Sequence, residues 1–541
     1  MGGCRMNEGW GAHMSESLFA HTSRVFRAPT VAPKERGLQS VDVRERSRVV
    51  HENEIRRARR DDASRNLAGL IKGLPEFGRR PEQLPPLFTC DSEGTLAYLG
   101  SPAQAFTLLA APSTARYGLF ALRQYYHNIF LGHDQMHVLR AELLVHALVP
   151  LIRTETEHTC VLLGVLASRA TAFCLAMQER VLPELVAMLE AKEAPVPFRA
   201  SALVVMQHLA MRLCEPLLPH LDTFALYLTP TSDAHLRLHA ASLVRYLCRP
   251  PSPDETALDT RTYEAYLPEL FTRAYEMLQT PEPSTQGYGL CALARLATER
   301  DTVLDKVTQD AFLATLFAQV HANAAHPGFT NDALELLKTI TYSPRPRHCA
   351  PLLRHLPSLW LIARTQPAHA PTVAFILRQV CADSATESAQ AVFTTLFPSP
   401  QTVPATLAFV HERCSTQGAD LLGLLWRCGT VNQRHALQGV LPILFAALDE
   451  PGLDREELCE HLDTLVRMVR HSIRHIGRSP AKSSTFRDLE RLGVRAWLET
   501  YLVREDRIGV VCQRARALLA LLDPSSDPTS SSTTSLDPFD V

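Results

Sequence analysis

Two pairs of histidines stand four residues apart in this sequence, His235 with His239 and His471 with His475. On a helix that spacing sets both imidazoles on one face, an arrangement that can grip a divalent metal. Neither pair has a Cys or Glu set close by in sequence to complete a site. Among 22 histidines such pairs arise by chance, so no metal is expected. The sequence contains no Gly-rich phosphate loop, no Gly-x-Ser-x-Gly elbow and no metalloprotease motif. No catalytic set and no cofactor are read, and the chain is not expected to be an enzyme.

Arginine supplies the chemistry that stands out. Seven arginines fall between Arg44 and Arg60, namely Arg44, Arg46, Arg48, Arg56, Arg57, Arg59 and Arg60. A guanidinium pairs bidentately with a carboxylate. Helix formers dominate the stretch, and Arg56, Arg59 and Arg60 share one face at i, i+3 and i+4. Its apolar positions (Val49, Val50, Ile55, Ala58) make no continuous stripe, so the helix is polar nearly all round. Such a rod suits an acidic concave partner. A second basic stretch, Arg467, Arg470, Arg474, Arg478, Lys482 and Arg487, lies in a segment without any acid between Asp463 and Asp488. It reads as a solvated face with favourable charge at a helix C-terminus. Ser479-Pro480 within it and Asp537-Pro538-Phe539 near the end are short motifs of low specificity.

The elements that would carry these residues repeat. The phrase apolar-Pro-x-apolar opens an amphipathic stretch at Val149-Pro150, Leu182-Pro183, Leu218-Pro219, Leu267-Pro268, Leu356-Pro357 and Leu441-Pro442. Pro in the first turn of a helix sacrifices no hydrogen bond, so each phrase predicts a helix start. The intervals are 33, 36, 49, 89 and 85 residues, and the last two are each about two units. Phe312-Leu313, Val403-Pro404 and Ala496-Trp497 fit the gaps. Each phrase leads through a turn to a second stretch at helical spacing, as with Ala202, Leu203, Met206 and Leu209, or Leu290, Leu293, Ala294 and Leu296. Units of this size, repeated nine or ten times, predict an all-α, armadillo/HEAT-like right-handed solenoid. No unit can bury its apolar face alone; stacking supplies the core.

Composition agrees. The 541 residues are 46% hydrophobic and 21% charged, enough for a large core, and Gly is scarce at 24. Lys and Arg number 55 against 57 Asp and Glu, which excludes a whole-surface basic footprint for nucleic acid. No apolar run approaches the eighteen or so residues that span a bilayer, so no membrane segment is expected. Met1 to Ser15 lacks the apolar core of a signal peptide. The 13 cysteines are scattered without a Cys-x-x-Cys pair and read as small buried hydrophobes in a reducing compartment, cytosol or nucleus. The expected organisation is a disordered 1–23, an arginine-rich arm and linker 24–80, a repeat array 95–522, and a Ser/Thr/Pro-rich disordered tail 523–541.

The stretch Glu54-Ile55-Arg56-Arg57-Ala58-Arg59-Arg60-Asp61-Asp62, with Arg44, Arg46 and Arg48 upstream and Arg24-Val25-Phe26-Arg27 before them, resembles the importin-beta-binding segment of the importin alpha family. That family sets this segment ahead of about ten armadillo repeats. The resemblance implies a nuclear import adaptor moving between cytoplasm and nucleus. Its seven arginines would be held by importin beta, its groove would hold a protein cargo, and the GTP-bound form of Ran would release the pair. The family reads basic signals with Trp-x-x-x-Asn pairs on the groove-lining helices. The corresponding positions here are Val204 and His208, Cys291 and Arg295, and Phe375 and Gln379, and an arginine there would repel a lysine-rich signal. The resemblance therefore implies non-classical cargo. The family's self-inhibitory Lys-Arg-Arg cluster is also missing, since Asp61-Asp62 is followed by Ala63-Ser64-Arg65-Asn66, and weak or absent self-inhibition is expected. The alternative is an armadillo/HEAT scaffold or chaperone outside nuclear transport.

Overall fold

The computed structural model describes residues 65–67, 87–90, 96–128, 141–191, 193–248, 260–298, 300–343, 345–383, 385–448, 455–475, 483–504 and 509–523. All of them belong to one unit, Asn53–Val541. The seven arm arginines, the loop and tail motifs, and the expected disordered ends lie outside the described residues, as do Arg478 and Lys482.

Ten helices succeed one another along this unit, each packed on the next. They are α1 (Pro112–Asn128), α2 (Thr156–Arg169), α3 (Val196–Ala210), α4 (Ala234–Leu247) and α5 (Pro283–Ala297), then α6 (Pro327–Thr341), α7 (Ala370–Asp383), α8 (Ser415–Cys428), α9 (Arg455–His475) and α10 (Val510–Leu522). Their starts recur every 38 to 55 residues, close to the period of an armadillo-like array. A second row covers one side: Leu182–Glu190 packs on α3, Thr260–Met277 on α5, Leu356–Thr365 on α7, Val403–Arg413 on α8, Leu441–Leu448 on α9 and Val494–Arg504 on α10. One continuous apolar core runs between the rows from Leu67 to Leu518. The chain is thus an all-α solenoid, as its repeat spacing predicts.

Local chemistry sets the helix boundaries. The Pro phrases open helices at Leu182, Leu356 and Leu441, and Pro150 caps the short helix Leu151–Thr154. Two phrases do something else. Pro219 lies inside a 3-10 turn, and Pro268 lies inside the helix Thr260–Met277, which begins a full two turns earlier than the phrase predicts. α4 begins at Asp233, whose carboxylate accepts the backbone N–H groups of His235 and Leu236 at 2.9 and 3.2 Å. Where α5 crosses Thr260–Met277, a Cβ at Gly289 would come within 2.8 Å of the Ala274 carbonyl, so only glycine permits that approach. The sequence reading did not anticipate an antiparallel hairpin ahead of the array, β1 (Phe88–Cys90) against β2 (Leu96–Tyr98). Phe88 seats it on Tyr117 and Phe120 of α1 with ring centroids 5.4 and 6.4 Å apart.

Candidate functional site

The helix row carries every position that the repeat register singles out. α3 is largely apolar, and from Ala200 to Ala210 each residue is buried, with Ser201, Gln207 and His208 as the polar exceptions. Val204 is 0% and His208 2% exposed, so neither is presented to solvent. The chain's own residues contribute to that burial. Leu67 packs where α2 carries Gly164: a Cβ there would lie 3.1 Å from Leu67 Cδ1 and 3.6 Å from His208 Cδ2. Asn66 Nδ2 donates to Gln207 Oε1 at 3.0 Å, and Gln207 Nε2 donates to the His239 carbonyl of α4 at 2.8 Å. Gln207 therefore ties three segments together. Its polarity amid Val204, Val205, Met206 and Leu209 is the signal that sequence reasoning passed over. The segment downstream of the arm rests on the row through the Asn66 amide and Leu67.

Between α4 and α5 the face is cationic and aromatic. Arg295, 5% exposed, donates from Nη1 to the Arg245 carbonyl at 2.6 Å. Burial and then the neighbouring Arg245 push its pKa down to about 10. The Arg245 guanidinium lies 4.5 Å from the Tyr288 ring centroid and 5.0 Å from that of Tyr246, whose hydroxyl it reaches at 3.2 Å. Cys291, half-buried, donates its thiol to Asp332 Oδ1 of α6 at 3.2 Å; burial first, then the Asp332 charge, raises its pKa strongly.

From α7 to α9 the face is held by ion pairs. Phe375 is half-buried beside Tyr342, centroids 5.6 Å apart, with Lys338 Nζ 5.8 Å from its ring, and Gln379 is buried. Arg378, between them, donates to Glu460 of α9 at 3.0 Å and lies 3.8 Å from Asp420 of α8. Asp420, with its side chain 1% exposed, lies 3.3 Å from His461 Nε2. Arg427 stands 3.6 Å from Glu460. The carboxylates hold the Arg378 pKa above its usual value against the effect of burial.

Elsewhere, the two histidine pairs are in ring contact, edge to face with centroids 4.5 Å apart for His235 and His239 and tilted with centroids 4.4 Å apart for His471 and His475. Among the described residues no group of three ligand-type side chains gathers around a metal position, and no helix is long and apolar enough to cross a membrane. Ser343, His348 and Asp305 form a relay, Oγ to Nδ1 at 2.6 Å and Nε2 to Oδ1 at 2.9 Å. The serine is 3% exposed and also accepts the Arg345 N–H at 3.2 Å, so the relay fastens a turn. Between the second-row helix Leu356–Thr365 and the helix Ala385–Leu396, Pro357, Trp360, Leu361, Arg364, Gln390 and Thr394 line an open groove of about 980 Å³.

Comparison with known proteins agrees at the level of fold. No family model matches the chain, and no curated protein matches it. An engineered protein from a structural-genomics programme superposes over 78% of this chain and 98% of its own length, with a TM-score of 0.53 at 15% identity. A structure from work on a conserved phosphorylation switch controlling the interaction between cadherin and beta-catenin covers 78% of this chain and 86% of its own, with a TM-score of 0.46 at 15% identity. At this identity the first likeness speaks for fold alone.

Proposed function

We propose that this armadillo-like repeat protein is a nuclear import adaptor. In this reading importin beta holds the arm through Arg44, Arg46, Arg48, Arg56, Arg57, Arg59 and Arg60, and the helix row holds a protein cargo of non-classical type. One observation carries the reading. Asn66 and Leu67, a few residues downstream of those arginines, are anchored on Gln207 and beside Gly164, next to His208 of the cargo register. In this reading a carrier that grips the arm acts close to the row. The residues found at the cargo register support a non-classical ligand: a buried valine and histidine, a cysteine beside a buried arginine, and a phenylalanine beside a buried glutamine offer no tryptophan slots for lysine stems.

Titration of importin beta against the full chain tests this. Binding in the nanomolar range is expected, weakened about a hundredfold or more by Arg56/Arg59/Arg60→Ala and reversed by Ran-GTP, since arginines in paired sites dominate such interfaces. Absence of binding by the wild-type chain at physiological salt would overturn the reading. The helical-repeat scaffold or chaperone would then stand in its place.

A further inference from the structure

We propose that the groove between Leu356–Thr365 and Ala385–Leu396 docks an amphipathic helix of a partner protein, its apolar stripe flanked by an acid and a base. The site stands apart from the adaptor reading, which seats cargo on the helix row. Each wall is one face of a helix. Pro357, Trp360, Leu361 and Arg364 stand at i, i+3, i+4 and i+7 on the first wall. Glu387 opens the same spacing on the second, through Ala391 to Thr394. Either series runs about 10 Å along its helix axis, two turns. Leu361 is 46% exposed, although a leucine in mid-helix beside a buried tryptophan could have faced inward. Trp360 meets Phe409 of Val403–Arg413 edge to face, centroids 5.4 Å apart, so the floor of the groove is fixed before anything binds. A wall of this kind left open to water marks an interaction surface.

Hydrogen bonding selects the occupant. The backbone groups of both walls are engaged within their own helices. The Thr394 and Thr395 hydroxyls donate to the carbonyls of Gln390 and Ala391, each at 2.9 Å. Gln390 Oε1 accepts from Gln433 Nε2 at 2.6 Å. An extended chain laid here would lose water from peptide groups that these walls do not re-pair. A helix pairs its own peptide groups and brings a stripe at the spacing the walls present. Charge sets what flanks that stripe. Arg364, in the last turn of its helix, and Glu387, in the first turn of its own, are exposed, and among the described residues neither is in an ion pair. An acid of the partner answers the first and a base the second.

Fluorescence anisotropy with the full-length protein tests the assignment. The probe is a labelled peptide of about 14 residues, long enough to fold on docking, with leucine at i, i+3, i+4 and i+7, glutamate on one flank and lysine on the other. Binding in the micromolar range is expected, with hydrogen exchange slowed in both wall helices. Leu361→Lys is expected to weaken it about tenfold or more. Arg364→Glu is expected to weaken it about fivefold, a modest loss because the pair is exposed, and lysine in place of the peptide's glutamate should restore it. A peptide carrying proline at two central positions cannot be helical and is expected not to bind. Failure of the leucine peptide to bind wild type, or equal binding by Leu361→Lys, would overturn the proposal. So would equal binding of the proline peptide, a readout on wild type that keeps the test sharp should a variant fail to fold by circular dichroism.

Discussion

α3 and α9 occupy equivalent places in the row and are built on opposite principles. α3 is largely apolar, and from Ala200 to Ala210 every residue is buried. α9 keeps Leu462, Leu465, Val466 and Val469 against the core and leaves Arg467, Arg470 and Arg474 exposed, as an amphipathic surface helix does. A helix in such a row packs on its two neighbours and on the second row, which leaves one face open. At α2 and α3, in the first half of the array, that face is largely apolar and covered, with Leu67 taking part. In the second half it is tied by Arg378, Asp420, Glu460 and His461. The first half is therefore built to be covered and the second to hold itself.

The largest expected effect breaks the second half. Arg378→Ala removes the guanidinium that stands between Asp420, buried at 1% exposure, and Glu460, and is expected to cost about 3 kcal/mol. Because repeats contact only their neighbours, segment-resolved hydrogen exchange in urea is expected to place the loss in α7 to α9. Arg378→Met with Asp420→Leu should recover much of it, since an apolar pair replaces a buried ionic one at little cost. Loss spread evenly over all ten helices would erase the distinction between the halves.

Acid is expected to act on the first half. Burial, then Arg116 and Arg123, press the His158 pKa down to about 4, and burial, then His235, do the same for His239. Both values lie below the 6.5 or so of the unfolded chain. The neutral folded form is therefore fully favoured above about pH 6.5, and stability falls as the pH drops from there toward 4. His158 Nε2 also accepts from Arg116 Nε at 2.8 Å, and protonation removes that acceptor. A loss on the order of 2 kcal/mol per histidine by pH 5 is expected. His158→Gln, which keeps an acceptor, should flatten the melting-temperature profile between pH 7 and 5; an unchanged slope would count against this account.

The smallest change in stability sharpens the comparison most. Gly164→Leu replaces a poor helix former by a good one inside α2, which favours the helix by somewhat under 1 kcal/mol. The new side chain occupies the space that Leu67 fills. The array is expected to melt no lower than wild type while tryptic cleavage after Arg65 accelerates. Equal protection at Arg65 would show that Leu67 does not depend on the glycine.

Much of this was legible beforehand. The repeat spacing, the Pro-initiated helices and the scattered buried cysteines follow from periodicity and composition. The part that Gln207 plays was not read from the sequence, because a single amide in a largely apolar helix does not say which segment will meet it. The hairpin was not legible, because three-residue strands are too short to display an alternating pattern. Pro268 misled for a different reason: its fixed φ is compatible with helix, so the helix runs on through it.

Sequence alone determined that the chain is helical, that its helices recur at armadillo-like spacing, and which residues point toward the core, because these depend on contacts within a few turns of one another. Only the tertiary structure decided that Arg245 meets Arg295, that Arg378 meets Asp420 and Glu460, and that Asn66 reaches Gln207 across 141 positions. Those meetings depend on how repeats of unequal length stack, and a few extra residues in one loop shift every side chain that faces the next helix.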